Sequence, residues 1–186
     1  FASWTVMNFT DRMFLVWYDI GAVAAVLPAG MVQWTLTSFA MGLVTYATTF
    51  VAQYHGAKRY HRVGPVLGQA FWTALLFIPP LMLTIPFAYD MFLAIGHPRE
   101  LADLEARYYR VAMLAVGAML FSAVQAGFFT GRGDTRTVMV VDTGAAVVNL
   151  VLDYLWIFGH LGFPEGGIEG AAWASTVAQW TKVIWY

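Results

Sequence analysis

Residues 143–159 read TGAAVVNLVLDYLWIFG, an apolar stretch of helical length that contains one amide, Asn149, and one carboxylate, Asp153. Placing an ionised carboxylate at the centre of a membrane helix costs about 2.5–3.5 kcal/mol on insertion scales, so such a residue persists where it has a partner or a task. Residues four apart share one helical face about 6 Å apart, so these two side chains should be neighbours. Both offer the hard oxygen atoms that suit a small cation or a proton.

The composition indicates that most of this chain lies in lipid. Of its 186 residues, 60% are hydrophobic, 17% are aromatic and 11% are charged, and the mean hydropathy is +0.63. An average soluble domain has about 25% charged residues. The net charge of −1 provides no global field that would attract nucleic acid. Because the chain has no cysteine, disulfides, thiolate metal ligands and thiol catalysis are excluded within it.

Apolar runs separated by short polar stretches predict an all-α integral membrane protein with a bundle of six transmembrane helices, since a span needs about 20 apolar residues and must satisfy its own backbone hydrogen bonds. The predicted spans are residues 1–17, 27–54, 65–86, 111–129, 138–159 and 168–186. Residues 87–95 are interpreted as an interfacial tail and 97–109 as a mixed-charge connection. The first run is short and the last is still apolar where the sequence stops, so we expect an interior piece of a longer protein with the outermost spans truncated.

Basic residues and prolines refine this topology. Three Lys and Arg residues in loop 55–64 and two in loop 130–137 predict that both loops are cytoplasmic, because positive charge is retained on that side of a membrane. Asp142 then lies near the cytoplasmic end of the fifth span, where we expect it to be solvated, and Asp153 lies toward the outer half. Pro79 and Pro80 should kink or break the third span, since proline removes a helix hydrogen bond.

Several polar residues within the predicted spans each have a structural and a functional interpretation. Asp11 either meets lipid headgroups at a helix end or faces inward, whereas Arg12, about 100° away on a helix, is expected to snorkel outward or to pair elsewhere. Gln33 and Thr37 in the second span either hydrogen-bond to neighbouring helices or line a cavity. In the fourth span, Gln125 is either an interhelical hydrogen-bonding group or a ligand.

Four stretches carry a family pattern in order along nearly the whole chain. They are NFTDRMFLV at residues 8–16, FVAQYHGAKRYHRVG at 50–64, GRGDTRTVMVVDTGAAVVNLVLDYLWIFG at 131–159 and GFPEGGIEGAAWASTVAQ at 162–179. Together they resemble the multidrug and toxic compound extrusion (MATE) family of cation-coupled exporters, whose members show a G-D-T-[RK]-T loop followed by an N-x-x-L-[ND]-Y-x-[LI]-I-F-G helix. The resemblance implies twelve helices in two six-helix lobes, with this chain as the amino-terminal lobe.

The resemblance also implies a cation site made of acidic and amide residues. Carried across by motif, the residues that would bind H+ or Na+ are Asp11, Asn149 and Asp153, with Gln125 and Thr176 as looser members. Asp11, Asn149 and Asp153 would be the ligands if the ion is Na+. No enzymatic cofactor is implied, and the expected partners are the lipid bilayer, a carboxy-terminal lobe and small-molecule cargo.

These expectations combine into a transport mechanism. Asp153, next to Asn149 and facing Asp11, would bind the coupling cation, and its occupancy would bias the lobe between outward-open and inward-open states. Two ionised carboxylates in low dielectric repel, so one should hold a proton or both should share a cation. We expect a substrate cavity that includes Gln33, Thr37, Asp11 and Asp153 and takes lipophilic organic cations or drugs, in the inner membrane of a prokaryote.

Three other classes of protein are weighed against this interpretation. A flippase of lipid-linked oligosaccharides or lipids should line its cavity with several Arg or Lys residues, and this chain has only Arg12 within an apolar segment. An intramembrane enzyme needs a nucleophile with a base, or metal ligands at depth, and all four histidines fall at the ends of predicted spans. A channel or purely structural bundle would not need a paired amide and carboxylate facing inward.

Overall fold

The computed structural model describes residues 2–162 and 165–186, and helices account for nearly all of them. In chain order the helices of this part are α1 (Ala2–Tyr18), α2 (Ile20–Gly56), α3 (Val63–Met82), α4 (Ala88–Ile95), α5 (Arg99–Met113), α6 (Val116–Gly131), α7 (Thr135–Phe158) and α8 (Gly167–Trp185). The described residues contain no β-strand. The predicted all-α fold is therefore confirmed.

Helix α2 is longer than the predicted 27–54. It begins at Ile20 because the Asp19 side chain accepts a hydrogen bond from the backbone N–H of Gly21 at 3.1 Å and caps the first turn. Pro28 lies inside the helix and removes one backbone hydrogen bond without ending it. The alanines on either side of it, Ala25 and Ala29, are fully buried, so packing holds the helix across the proline.

The proline pair breaks the third span as predicted. Helix α3 ends at Met82, two residues after Pro80, and a turn followed by a 3-10 segment, Ile85–Phe87, leads into α4. Residues 88–95, predicted to be part of an interfacial tail, form the two-turn helix α4. Its Phe92 is fully buried in the core.

The prediction that residues 97–109 form a connection is wrong, because most of them belong to α5. Charged residues cover the outer side of this helix, but one face is buried in the bundle. The buried residues of that face include Ala102, Glu105, Ala106 and Tyr109, which are spaced as an amphipathic helix requires. The buried Glu105 carboxylate is paired with His97 Nδ1 at 2.8 Å. Because the segment contains many charged residues, hydropathy alone did not indicate its helical periodicity.

Helices α5 and α6 form one bent unit in place of the predicted span 111–129. They are inclined by 41° across a short break between Met113 and Val116. Three helical segments of the described chain are long and apolar enough to cross a membrane, Gly21–Gly56, Tyr60–Ile95 and Thr135–Phe158, and the bent pair makes a fourth if it is counted as one span. Six spans were predicted. Helix α1 has only 17 residues and α8 only 19, and each carries two charged residues.

Close helix crossings at glycines set the relative direction of the helices. A Cβ at Gly127 would lie 2.6 Å from Thr48 Oγ1, and one at Gly131 would lie 2.7 Å from Val51 Cγ1. Helices α2 and α6 therefore run side by side in the same direction, and the two basic loops that follow them lie at one end of the bundle. Helices α7 and α8 cross where a Cβ at Gly170 would lie 2.5 Å from the Trp156 carbonyl oxygen. Small residues at such crossings let membrane helices approach closely.

Helix α7, which contains the Asn149 and Asp153 pair, has well-defined ends. Asp134 caps it, accepting hydrogen bonds from Thr137 Oγ1 at 2.7 Å and from the Thr137 backbone N–H at 3.1 Å. These hydrogen bonds lower the pKa of the Asp134 carboxyl below its usual value. The helix ends at Gly159, whose left-handed φ of 69° suits glycine. These bounds match the predicted span 138–159 to within three residues.

Candidate functional site

The carboxyl groups of Asp11 and Asp153 meet where α1 packs against α7. The two groups are close enough to interact by charge and to share a side-chain hydrogen bond, which requires a proton on one of them. Asp153 and Asn149 are fully buried on the same face of α7. The three residues that the sequence singled out first are thus gathered at one place in the bundle.

Ser175 of α8 links these residues across three helices. Its Oγ donates a hydrogen bond to Asp11 Oδ2 at 3.0 Å and accepts one from Asn149 Nδ2 at 3.4 Å. The sequence pattern indicated the neighbouring hydroxyl, Thr176, and not Ser175 as a member of the site. Adjacent residues on a helix point about 100° apart, so only the rotation of α8 decides which hydroxyl faces α1.

The cluster of Asp11, Asn149, Asp153 and Ser175, here called the oxygen cluster, is rich in acceptors and poor in donors. With both carboxyl groups ionised, four buried oxygens in it have no hydrogen-bond donor within the described chain: Asp11 Oδ1, Asn149 Oδ1 and both oxygens of Asp153. A buried acceptor without a donor costs about 1–3 kcal/mol. A proton or a hard cation held between the oxygens would relieve that cost.

The chemistry of this donor set restricts which cation it suits. No group of three or more His, Cys, Asp or Glu side chains that could hold a metal ion occurs among the residues described. Two carboxylates, one amide oxygen and one hydroxyl are all hard ligands, which suit an alkali cation or a proton better than a transition metal. The oxygen cluster therefore fits the H+ or Na+ chemistry expected from the sequence.

A cavity of about 280 Å³ borders the oxygen cluster and shares Asp11 and Ser175 with it. Helices α1, α2 and α8 and the bent pair α5–α6 enclose it. The remaining lining residues are mostly apolar, aromatic or neutral polar, and they are Met7, Arg12, Leu15, Val26, Leu27, Gly30, Met31, Gln33, Trp34, Tyr108, Ala112, Ala115, Met119, Ala171, Thr176 and Gln179. Tyr108 lines the cavity near Asp11 and Asp153 and so connects the cavity to the cluster.

The residues expected to line the cavity differ in where their side chains lie. Gln33 lines it, and its amide donates to the Ala112 carbonyl oxygen at 2.7 Å. Thr37 does not line it, because its side chain is buried and its hydroxyl donates to the Gln33 carbonyl oxygen at 2.9 Å within the same helix. Asp153 lies outside the lining and is reached from the cavity through Asp11.

The two looser candidates for the cation site lie apart from the paired carboxylates. Thr176 lines the cavity, but its hydroxyl donates to the Ala172 carbonyl oxygen at 2.8 Å. The Gln125 amide donates to the Val183 carbonyl oxygen at 3.1 Å. Because Val183 is eight residues beyond Ser175 in α8, Gln125 contacts that helix about 12 Å from the oxygen cluster. Its structural interpretation, an interhelical hydrogen bond, is the one this contact favours.

Two charged residues differ from expectation. Arg12 does not simply face outward: it is a lining residue of the cavity, and its positive charge acts on Asp11. Asp142, expected to be solvated, is paired with Lys182 Nζ of α8 at 2.7 Å, and only 27% of its side chain is exposed. In both cases the neighbouring helix supplies a partner or a surface that the residue's own helix could not reveal.

Comparison with known proteins relates this chain to one family. The family model described as MatE matches residues 1–155. The chain is 29% identical over 174 residues to the probable multidrug resistance protein YoeA of Bacillus subtilis (strain 168), covering 91% of this chain and 38% of that protein. It is 27% identical over 187 residues to the multidrug resistance protein MdtK of Klebsiella pneumoniae, covering 98% of this chain and 41% of that protein. The chain thus spans about two fifths of the length of these relatives.

Solved structures share the fold. A multidrug resistance MATE family transporter of the MOP superfamily, in an outward-facing conformation, superposes with a TM-score of 0.88 at 23% identity, over 98% of this chain and 40% of that one. A MOP superfamily transporter from Pyrococcus furiosus gives a TM-score of 0.88 at 24% identity, again over 98% and 40%. The helices described above are therefore arranged as in one part of these transporters, and the predicted single-lobe architecture is confirmed.

Proposed function

The chain belongs to the MatE family, and on that premise we propose that it forms the cation-binding lobe of a multidrug efflux transporter. The relatives named above are multidrug resistance proteins, and this chain matches about two fifths of each. A second, carboxy-terminal lobe would supply the rest of the transport path. The chain is part of a multi-pass membrane protein, and the bacterial relatives support the inner membrane of a prokaryote as its location.

The observation that carries the coupling proposal is the set of buried oxygens without donors in the oxygen cluster. Two ionised carboxylates that face each other repel, so Asp11 and Asp153 can approach as they do only with a proton or Na+ between them. Losing that cation would push α1 away from α7 and α8. Because the cavity lies against the same face of α1, binding and release of the cation would favour different conformations of the cavity.

The cargo proposal rests on the cavity. Its volume of about 280 Å³ lies just below the roughly 300–1,000 Å³ that a drug-sized ligand needs. A facing lobe would enlarge it into a complete site. Methionine and aromatic side chains such as Met31, Trp34 and Tyr108 adapt to bulky apolar compounds and attract cationic groups. Alternating exposure of this site to the two sides of the membrane would export lipophilic, cationic compounds in exchange for H+ or Na+.

The test is gradient-driven transport by the full-length protein in vesicles. Asp153→Asn keeps the size of the side chain but removes the charge that holds the cation. We expect export of a fluorescent organic cation to fall by at least about tenfold, the size of one lost charge-assisted interaction. Asp90→Asn, at an exposed position in α4, is the matched control and should retain activity. Asp142→Asn is unsuitable as a control because it removes the ion pair to Lys182.

Imposing a pH gradient and a Na+ gradient separately identifies the coupling ion. Coupled export that is undiminished in Asp153→Asn would refute the role of the oxygen cluster. A flippase of the wider exporter superfamily would move lipid-linked substrates and show no response of organic cation transport to either gradient.

A further inference from the structure

Arg12 is a charged residue of the cavity that the coupling mechanism does not use. Its side chain is exposed on the cavity wall. Among the described residues, the ion pairs within 4.0 Å are His97–Glu105, Arg107–Asp103 and Lys182–Asp142, and Arg12 takes part in none of them. The guanidinium group of arginine is positively charged and presents its N–H donors in a planar fork. Charged residues within membrane helices generally mark a ligand or a pathway.

The nearest acid does not neutralise Arg12 by contact. Asp11 is adjacent in sequence and also lines the cavity, but its carboxyl is directed at Ser175 and Asp153, whereas the Arg12 side chain leaves the helix about 100° away. The charge of Arg12 acts on Asp11, but the two side chains form no ion pair within 4.0 Å in the described chain. The five N–H donors of its guanidinium are thus available to a molecule in the cavity.

The cavity therefore presents two opposite charges side by side. Asp11 and Arg12 are the charged residues among its lining, and Trp34, Met31 and Tyr108 supply aromatic and apolar surface around them. A purely cationic ligand would meet Arg12 as a like charge. A ligand with a carboxylate would satisfy the guanidinium fork through two parallel hydrogen bonds, while its cationic group lies toward Asp11.

We propose that Arg12 binds the carboxylate of the cargo, so that the cavity selects zwitterionic aromatic compounds over their purely cationic analogues. This inference rests on the proposed function, since it names the class of compound that the same cavity takes. It makes Arg12 a specificity residue for cargo, whereas the coupling cation binds the oxygen cluster, which shares Asp11 with the cavity.

A matched pair of dyes tests the proposal. Rhodamine B has a free carboxylate beside its cationic ring system, and its ethyl ester has the same ring system without that negative charge. Binding of each dye to the full-length protein in nanodiscs is measured by fluorescence anisotropy without any ion gradient. In Arg12→Gln we expect the affinity for rhodamine B to fall by about tenfold, as for loss of a charged hydrogen-bonded pair. Affinity for the ester should stay within about twofold or rise, because a like charge has been removed.

Controls separate this effect from misfolding and from failure of the transport proposal. Ester binding by Arg12→Gln reports that the variant is folded. Arg12→Lys, which keeps the charge but loses the fork, should recover part of the rhodamine B affinity. Arg99→Gln, at an exposed position at the start of α5, should bind both dyes as the parent does. Equal loss for both dyes, or no change for rhodamine B, would overturn the proposal. Because no gradient is used, the binding result stands independently of whether Asp153→Asn loses coupled export.

Discussion

At the scale of single residues, Ser175 is the side chain that joins three helices at the oxygen cluster. Its hydroxyl donates to Asp11 and accepts from Asn149, so α8 is tied to α1 and α7 through one group. No other side chain of α8 is hydrogen-bonded to either residue within the described chain. Cation binding changes the charge of the Asp11 and Asp153 pair. That change would therefore affect the position of α8 through the hydrogen bonds of Ser175.

Replacing Ser175 with alanine removes this link and little volume. We expect Ser175→Ala to weaken the apparent affinity for the coupling cation by about tenfold, because a hydrogen bond to a charged group contributes about 1.5–3 kcal/mol. The measurement is the cation concentration that half-saturates transport by the full-length protein. Ser122→Ala is the matched control, since Ser122 is also buried but donates only to the Met119 carbonyl oxygen of its own helix. Equal half-saturation in parent and Ser175→Ala would remove the hydroxyl from the site.

The sequence predicted the three members of the oxygen cluster that are energetically unfavourable in an apolar helix. It did not predict Ser175, whose burial costs little. Asp11, Asn149 and Asp153 drew attention because charged or strongly polar groups in apolar helices need a reason to be there. A serine on a membrane helix can satisfy its hydroxyl with its own backbone, so its presence implies nothing. Gln125 and Thr37 illustrate the reverse case, since both were candidates and both hydrogen-bond to backbone carbonyls away from the cluster.

At the scale of helices, the break between α5 and α6 brings three side chains from other helices to its carbonyl groups. Gln33 donates to the Ala112 carbonyl oxygen at 2.7 Å and Trp180 to that of Leu114 at 3.3 Å. The Thr176 hydroxyl, bonded at 2.8 Å within its own helix, is also 3.3 Å from the Val111 carbonyl oxygen. Backbone carbonyls freed at a bend inside a membrane must find donors, because lipid offers none. Gln33 and Thr176, expected at the cargo and cation sites, thus also hold the bent helix pair in place beside the cavity.

Loss of one of these donors should destabilise the bend. We expect Gln33→Leu to lower the free energy of unfolding by about 0.5–1.5 kcal/mol, since the Ala112 carbonyl keeps one further hydrogen bond from the Ala115 backbone N–H at 3.1 Å. Thermal unfolding of the purified full-length protein in detergent is the measurement. Gln69→Leu, at an exposed position on α3, is the control and should leave the midpoint unchanged. Identical midpoints for the parent and Gln33→Leu would mean that Gln33 does not stabilise the bend.

Helix boundaries could be predicted from the sequence where a residue changes the backbone hydrogen bonds directly. They could not be predicted where packing against other helices determines the boundary. Pro79 and Pro80 lie inside α3 within three residues of its end at Met82, and the loss of their backbone N–H donors can be predicted from the sequence. Helix α5 has too many charges for a hydropathy argument to find, and its helical form depends on burying one face against its neighbours. The bend after Met113 has no proline or glycine at its break, so no local sequence signal predicts it.

At the scale of the whole molecule, the bundle has two chemically different ends. Parallel packing of α2 and α6 brings the loops after Gly56 and Gly131 to one end, with Lys58 and Arg132 among their basic residues. Helices α3 and α7 begin at that end and run away from it. The residues that follow them, including the starts of α5 and α8, therefore lie at the opposite end of the bundle. If basic residues stay on the cytoplasmic side, the first end faces the cytoplasm. The oxygen cluster, about two turns from the far end of α7, would then receive cations from outside.

Cysteine labelling tests this orientation cleanly, because the chain has no cysteine of its own. Single substitutions at exposed positions would be made in the full-length protein with any other cysteine replaced: Lys58→Cys and Arg132→Cys at one end, Arg99→Cys and Glu165→Cys at the other. A membrane-impermeant maleimide added to intact cells should label the second pair, whereas the first pair should react only after permeabilisation. The reverse pattern would place the oxygen cluster nearer the cytoplasm, so that a cation entering from outside would have to cross most of the bundle before reaching Asp153. Labelling of one position from each pair in intact cells would contradict the parallel arrangement of α2 and α6 itself.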